Sequence, residues 1–504
     1  MSTLTGQKIK DTYDGLLKTT DSTTGLPASG KVVIQDGLGN NSALKLGRTS
    51  QGVEIDTSLK VDGNTTVQGT DDITQQKKLE VTGRSTVVQA GTNSSAIRGN
   101  SYVFGKSLTT RSGGSFVVNT LNEAVGGNSF ASGTLTEATG GNSATFNHRT
   151  KASGLMSAAF GNKTEANGQY SAAFGTDGFA SGQNAFKIGE KGTASGGRSF
   201  ASGFGGVASA NNSSVFGYQC QANNPNSIAG GFTTIAGANN SLAFGTNAQT
   251  NGLNSLSFGN NTRANGENST SLGSGTIAGG QGSFAANTNS QATQPNSSAF
   301  AGGKATGGSS FAVGNGNQAT AYLSTSFGTN NNANGMFSFV GGEGNTVGGT
   351  GSASFGKNNE ITKNNSFSIG LNNDVFTGNS LILGSDNSTS GFYGNSLVLG
   401  QNNQATERRQ LVQGYQNIAS QPNQSVLGQY ADATTTSSIF VIGVGSSNAV
   451  RNNAFEVLDT AEPKIIMQGL ANSTSYTNDT LAAAGGVPIG GLYRNGNDIK
   501  IRLT

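Results

Sequence analysis

Residues 240–266 read NSLAFGTNAQTNGLNSLSFGNNTRANG, and the same phrase occurs twice within them. Asn-Ser, a pair of small or apolar residues, Phe-Gly, a polar run and Asn-Gly are followed, fourteen residues later, by the same series. With the Phe as anchor, the phrase extends in both directions. The anchors run Phe104, Val118, Ser132, Phe146, Phe160, Phe174, Ile188, Ser202, Phe216, Gly230, Phe244, Phe258, Leu272, Ala286 and Phe300. They continue as Val313, Phe327, Gly341, Phe355, Ile369, Leu383, Leu399, Gln413, Leu427 and Ile442. The spacing is fourteen except at the steps 300→313, 383→399 and 427→442.

Three columns travel with the anchor. The residue after it is Gly in 21 of 25 repeats, Asn119, Asn147, Asn287 and Ala301 being the exceptions. Asn is, after Gly, the residue that best tolerates positive φ, so this column is a backbone requirement for a left-handed turn. Gly161, Gly175, Gly245 and Gly259 represent it. Ser stands three residues before the anchor in 21 of 25 repeats, and Ala recurs six residues after it, as at Ala124, Ala152, Ala180 and Ala264.

Fourteen residues cannot house a helix pair. They suit two short strands with tight turns, one coil of a parallel β-solenoid. About 25 such coils, stacked ~4.8 Å apart, make a rod on the order of 120 Å long. One coil is not stable alone: ordering it costs roughly 20 kcal/mol at ~1.5 kcal/mol per residue, whereas burying an inward anchor Phe returns only about 1.5–3 kcal/mol. The interior is thin, and thinner where the anchor is Ser, Gly or Gln. The rods are therefore expected to associate side by side, burying a second apolar face between chains, with one isolated flattened solenoid as the alternative.

The composition agrees with a spacer. Of 504 residues, 78 are Gly and 26 Phe, with no Trp, one His and one Cys; only 11% are charged. Disordered chains usually carry more charge and fewer Phe. The single Cys220 excludes an intrachain disulfide framework. A net charge of +3 leaves no electrostatic footprint for nucleic acid. No segment approaches ~18 apolar residues, so no membrane-inserting helix is expected.

The phrase x-S-x-A-x-G, followed by A-x-G at a fourteen-residue period, resembles the head domain of YadA-type trimeric autotransporter adhesins over about residues 100–443. The resemblance implies a left-handed parallel β-roll in a homotrimer, which fits the side-by-side association argued above. The ends differ from that family, with no export signal, heptad stalk or C-terminal barrel anchor in view. The opening TLTGQKIKDTYDGLLKTTD and KVVIQDGLGNNSALKLG are instead similar to bacteriophage tail-fibre and other virion-appendage proteins, in which this segment attaches the fibre to the particle. Ile9, Tyr13, Leu16 and Leu17 fall on one face of a short helix there, and Val32–Ile34, Leu44–Leu46 and Val53–Ile55 read as strands. LKVDGNTTVQ at Leu59–Gln68 and LEVTGRSTVVQ at Leu79–Gln89 form a second, twenty-residue repeat that resembles a phage fibre shaft. The closing segment also resembles endings of phage fibres: NAFEVL and KIIM read as strands, and YRNGNDIKIR as a hairpin turning near Asn495-Gly496. It caps the solenoid, and its tip, with Tyr493, Arg494, Asn495 and Asn497, is the candidate receptor contact.

Chemistry-bearing residues are few. Glu123 and Glu137 share a column one coil apart, near the ~5 Å carboxylate separation of retaining glycosidases. The column continues through Lys151 and Glu165, however, and reads as a solvated charge ladder. His148 is the sole imidazole and Cys220 has no CxxC partner; neither supplies a triad or a metal set. The fingerprint-like GNGNQA at 314–319 precedes no helix, and the Arg408–Arg409 doublet is expected in solvent.

The sequence thus predicts an all-β trimeric fibre with four regions: virion attachment (1–57), shaft (58–99), β-roll (100–443) and cap or tip (444–504). Its place is an external virion appendage, most simply a tail fibre binding a host glycan or protein at the tip or flank. Other virion proteins are the partners at its N-terminus. No enzyme activity, cofactor, metal, nucleic acid or membrane insertion is expected. A capsid fibre and a bacterial trimeric adhesin are the alternative readings.

Overall fold

The computed structural model describes residues 18–19, 32–35, 41–46, 53–55, 87–90, 94–96 and 101–504, apart from 392–393, 434–436 and 472. The chain divides into two units, Met1–Glu80 and Val81–Thr504. In the first, strands Lys18–Thr19, Val32–Gln35, Asn41–Leu46 and Val53–Ile55 form an antiparallel sheet in sequence order, matching the strands expected there. Ile9, Tyr13, Leu16 and Leu17 lie outside the described residues, as does most of the 59–89 repeat.

The second unit is a parallel β-solenoid of about 24 turns with coils of about 14 residues. Each coil has a wide strand, such as Leu242–Thr246, and a two-residue narrow strand, such as Gln249–Thr250. Wide strands pair with wide strands one repeat on: Phe244 lies opposite Phe258 and Gly245 opposite Gly259. Narrow strands pair likewise, Gln249 with Arg263. The wide ladder already begins at Val87–Ala90, which pairs with Ser101–Lys106.

The Gly column has the backbone that its recurrence demands. Gly161, Gly175, Gly245 and Gly259 have φ of 124°, 120°, 127° and 127°, and Asn119, Asn147 and Asn287 take 80°, 83° and 77° in the same role. Space restricts the position as well, because a Cβ on Gly245 would overlap the carbonyl oxygen of Gly259. Two further left-handed columns were not separated out in the sequence. They are the corners at Asn247 and Asn261, each with φ 53°, and at Asn240 and Asn254, with φ 55° and 56°. Along the second of these, Asn212, Asn226, Asn240, Asn254 and Asn268 link side chain to side chain, each Nδ2 donating to the next Oδ1 at 2.9–3.1 Å.

The anchor Phe does not point inward, and here the sequence expectation is corrected. Side chains alternate along the wide strand, and the inward position belongs to the residue before the anchor. Ser241, Ala243, Ala248 and Thr250 are fully buried in one coil, whereas Phe258 is 38% exposed. The interior between the two ladders holds Ser, Ala and Thr side chains and has no room for rings. Towards the C-terminal end it fills with Val and Ile instead. Large and small residues offset one another across the coil: Ser354 accompanies Ile361, and Ile382 accompanies Thr389. Such pairing conserves volume, which close-packed interiors require.

The last wide strand, Ser438–Val444, pairs parallel with Ser425–Gln429 and antiparallel with Asn453–Leu458, which in turn carries Lys464–Ile466. An antiparallel extension thus covers the strand edge left where the repeat stops. Two short helices, Gln468–Ala471 and Asp479–Ala484, and the hairpin Leu492–Asn495/Asp498–Ile501 complete the unit.

Candidate functional site

The feature that distinguishes one side of the rod is the outer face of the wide ladder. Because the residue before the anchor is inside, the anchor and the residue two before it both face out. In the N-terminal coils these positions carry a continuous aromatic stack. Ring centroids of Phe116, Phe130, Phe146, Phe160 and Phe174 follow one another at 5.2, 4.9, 4.4 and 4.8 Å, and the series continues through Phe186 and Phe200 to Phe216. Phe104, Phe216 and Phe258 are 37%, 44% and 38% exposed. Phe327, Phe339, Phe355 and Phe367 repeat the pattern, and Leu381, Leu397 and Leu411 continue it aliphatically. Monomeric soluble proteins rarely show contiguous apolar patches above a few hundred Å². The spacing between rings follows from the ~4.8 Å strand repeat, so the face is as straight as the ladder beneath it.

The interior holds a different kind of order. From Asn317 to Asn417 an inward Asn occupies the same corner in every coil. The Nδ2 of Asn331 donates to the carbonyls of Phe327 and Gly342 at 3.0 and 2.7 Å, and its Oδ1 accepts the N–H of Asn345 at 2.9 Å. The carbonyls of the anchor and of the next coil's Gly turn inward at each left-handed bend, and the Asn amide satisfies both. In the coil of Ile188 that corner is Gly192, and Lys187 takes over the task from the wide strand. Its Nζ donates to Ile188 O at 2.8 Å and lies 3.4 Å from Gly203 O. Gly178 leaves room for its stem, since a Cβ there would stand 3.2 Å from Lys187 Cγ. Burial pushes the ammonium down from 10.5 to about 8. Cys220 fills the corner elsewhere, buried, with its Sγ 3.2 Å from Gly231 O.

The residues with catalytic potential are not assembled into a site. Glu123 does pair with Glu137, and Glu137 with Lys151, in neighbouring narrow strands. The Lys151–Glu137 ion pair at 3.1 Å has both side chains nearly half exposed, a solvated ladder worth little in stability. His148 ends a wide strand and is exposed. Among the described residues no group of three His, Cys, Asp or Glu stands close enough to hold a metal. Gly314 and Gly316 are turn residues with φ 108° and 72°, and Arg409 sits at a left-handed corner with φ 56°.

At the C-terminal end the four expected contact residues have different surroundings. Tyr493 is buried, and its hydroxyl donates to Asp479 Oδ1 at 2.7 Å. That bond, with the N–H of Leu503, holds the Asp479 carboxyl below its ordinary range. Arg494 is half-buried, its carbonyl accepting the N–H of Tyr476. Asn495 donates to Thr477 O at 3.2 Å. Asn497, beside Gly496 in the turn, is exposed. Ile465, Ile466, Met467, Leu470 and Ile499 line a cavity of about 560 Å³ next to this hairpin, a feature the sequence did not single out because its residues are far apart in the chain.

No protein-family model matches this chain, and a search of curated proteins finds no match either.

Proposed function

We propose that this protein is a fibre of a phage virion, most simply a tail fibre, that projects from the particle and attaches it to the host cell. In this reading three copies pack with their aromatic faces turned to a common axis, and residues 1–57 dock on other virion proteins. The observation that carries it is the apolar face that runs from coil to coil along the wide ladder, with an aromatic or aliphatic residue at one of its two outward positions in each coil. A face that repeats coil after coil at a nearly constant pitch is best covered by an identical face. Three thin coils packed together also supply the burial that one coil lacks. The resemblance of both terminal segments to phage fibres supports a virion reading, and the scarcity of assembled chemical groups suits a spacer and adhesin. Several fibres with three chains each turn weak contacts into firm adsorption.

Electron microscopy of source particles labelled with antibody against residues 444–504 tests this. Label at the ends of tail-attached fibres supports the reading. Label distributed around the capsid replaces it with a head fibre, and absence from particles that contain the gene product's neighbours removes the virion assignment.

A further inference from the structure

One coil is a residue short, and the defect opens the surface of the rod. At the step from Phe300 to Val313 the missing residue falls in the corner between the wide strand Ser298–Phe300 and the narrow strand Lys304–Ala305. In neighbouring coils this corner is closed by a rung of backbone hydrogen bonds. Gly275 N–H donates to Asn260 O at 2.8 Å, Asn289 N–H to Ser274 O at 2.8 Å, and Asn330 N–H to Asn315 O at 2.9 Å. In the short coil Ala301 N–H reaches Ala286 O instead, and Gly302 N–H is taken by Ser290 Oγ at 3.0 Å. The Thr288 carbonyl and the Gly316 N–H are thereby left without a hydrogen-bond partner among the described residues. The corner recedes between its neighbours into a notch of about 760 Å³, in which both groups take part. That volume is within the ~300–1,000 Å³ range of small-ligand sites.

The lining is polar and carries one charge. Asn287, Asn289, Gln291 and Asn315 contribute amides, and Lys304 an exposed ammonium. None of these five side chains has a hydrogen bond or ion pair within the described residues. The notch shares no residue with the aromatic face, because its wall comes from the corner columns.

We propose that this notch binds an acidic sugar residue of a cell-surface polysaccharide. Amides offer a donor and an acceptor side by side, the arrangement that matches vicinal hydroxyls. The interrupted rung adds one backbone acceptor and one donor, and Lys304 selects a carboxylate over a neutral sugar. The site repeats once per chain, so weak single contacts gain from multivalency. Its biological partner rests on the attachment reading above, but its ligand chemistry can be measured separately.

Saturation-transfer NMR of the full chain with glucuronate, and with glucose as the neutral counterpart, reads the contact directly. The expected result is transfer to glucuronate that exceeds transfer to glucose. Lys304→Gln should weaken it about three- to fivefold, the scale of one exposed charge pair. Insertion of one residue after Gly302, which restores the fourteen-residue coil, should abolish it while thermal melting is retained. No transfer to glucuronate, equal transfer to both sugars, or transfer unchanged by Lys304→Gln and by the insertion overturns the proposal. Competition of the purified fibre with particles for host cells separates the two readings. Competition without glucuronate contact defeats the notch and leaves attachment standing; contact without competition supports the notch and defeats attachment.

Discussion

The backbone N–H of Asn345 and its side-chain Nδ2 both donate to Oδ1 of Asn331, at 2.9 and 3.1 Å. The same amide serves the carbonyls of Gly341 and Gly356 at 2.9 and 2.8 Å, and Oδ1 of Asn345 accepts from Asn359 in turn. Each buried amide thus ties three consecutive coils. Asn345→Ala should destabilise these coils by about 3 kcal/mol or more, because it leaves buried carbonyls and an N–H without partners. Asn345→Thr should cost less, Thr being the residue at this corner in the coils of Thr136, Thr150 and Thr164. Hydrogen exchange at the amides of residues 331–373 measures both; equal protection in the two variants would contradict the ladder's role.

Gly245→Val and Gly259→Val should each lower the melting temperature, by backbone strain at φ 127° and by overlap of the new Cβ with the next coil's carbonyl. Strain of this kind costs on the order of 1–3 kcal/mol before the steric term is added. Gly245→Asn should be the milder change, since Asn119, Asn147 and Asn287 occupy the column at φ near 80°. Unchanged melting in both Val variants would refute the turn assignment.

Lys187 should make the rod more stable as pH rises. Burial lowers its folded-state pKa to about 8 from 10.5, so between those values the unfolded chain holds more protons than the folded one. Stability therefore increases across that window. The groups facing the ammonium are the carbonyls of Ile188 and Gly203, with Gly178 beside its stem, and burial is the cause of the shift. Lys187→Met should remove the slope. The difference between wild-type and variant melting curves, taken from pH 7 to 10.5, isolates it from other titrating groups.

Phe160→Glu places a carboxylate in the middle of the aromatic stack, where its neighbours Phe146 and Phe174 stand 4.4 and 4.8 Å away in ring centroid distance. In a trimer joined by this face three such charges meet, and the assembly should dissociate or precipitate. Sedimentation velocity reads the outcome. The wild type is expected at three times the 50.8 kDa chain mass, and a wild-type mass of one chain would defeat the trimer.

Deletion of residues 1–57 should abolish incorporation into virions while the remaining chain still folds and trimerises. The strands Val32–Gln35 and Asn41–Leu46 belong to a unit separate from the solenoid, so their loss leaves the coil ladders unbroken. Immunoblots of purified particles from a deletion strain decide it, and detection of the truncated chain on particles would end the attachment role of this segment.

Much of the architecture was legible because a solenoid writes its geometry into the spacing of residues. The Gly column after Phe244 and Phe258 announced a left-handed bend, whereas only the fold shows that the recurrent Ser241 and Ser255 point inward. NAFEVL and the 492–501 hairpin were readable as strands by alternation and turn chemistry. The Asn ladder was less so: Asn331, Asn345 and Asn359 recur at fourteen, but a recurrent Asn marks an exposed corner as readily as a buried one. Tyr493 likewise reads as a tip residue, and only the fold brings Asp479 to its hydroxyl. The notch was present as a spacing of thirteen instead of fourteen, although a missing residue does not itself say which hydrogen bonds it breaks.

The sequence by itself determined the period, the parallel stacking and the left-handed column, because each is imposed locally: by the number of residues in a coil and by the steric limits on φ. It did not determine which face of the wide strand looks inward. Alternation separates two faces, but here one is small and the other aromatic, and the hydrophobic scale alone favours burying the rings. The tertiary structure decided otherwise, for a reason of volume. Tight corners hold the two ladders close enough that Ala243, Ala248 and Thr250 fill the space between them, and Phe244 and Phe258 are left on the outside, where another surface can cover them.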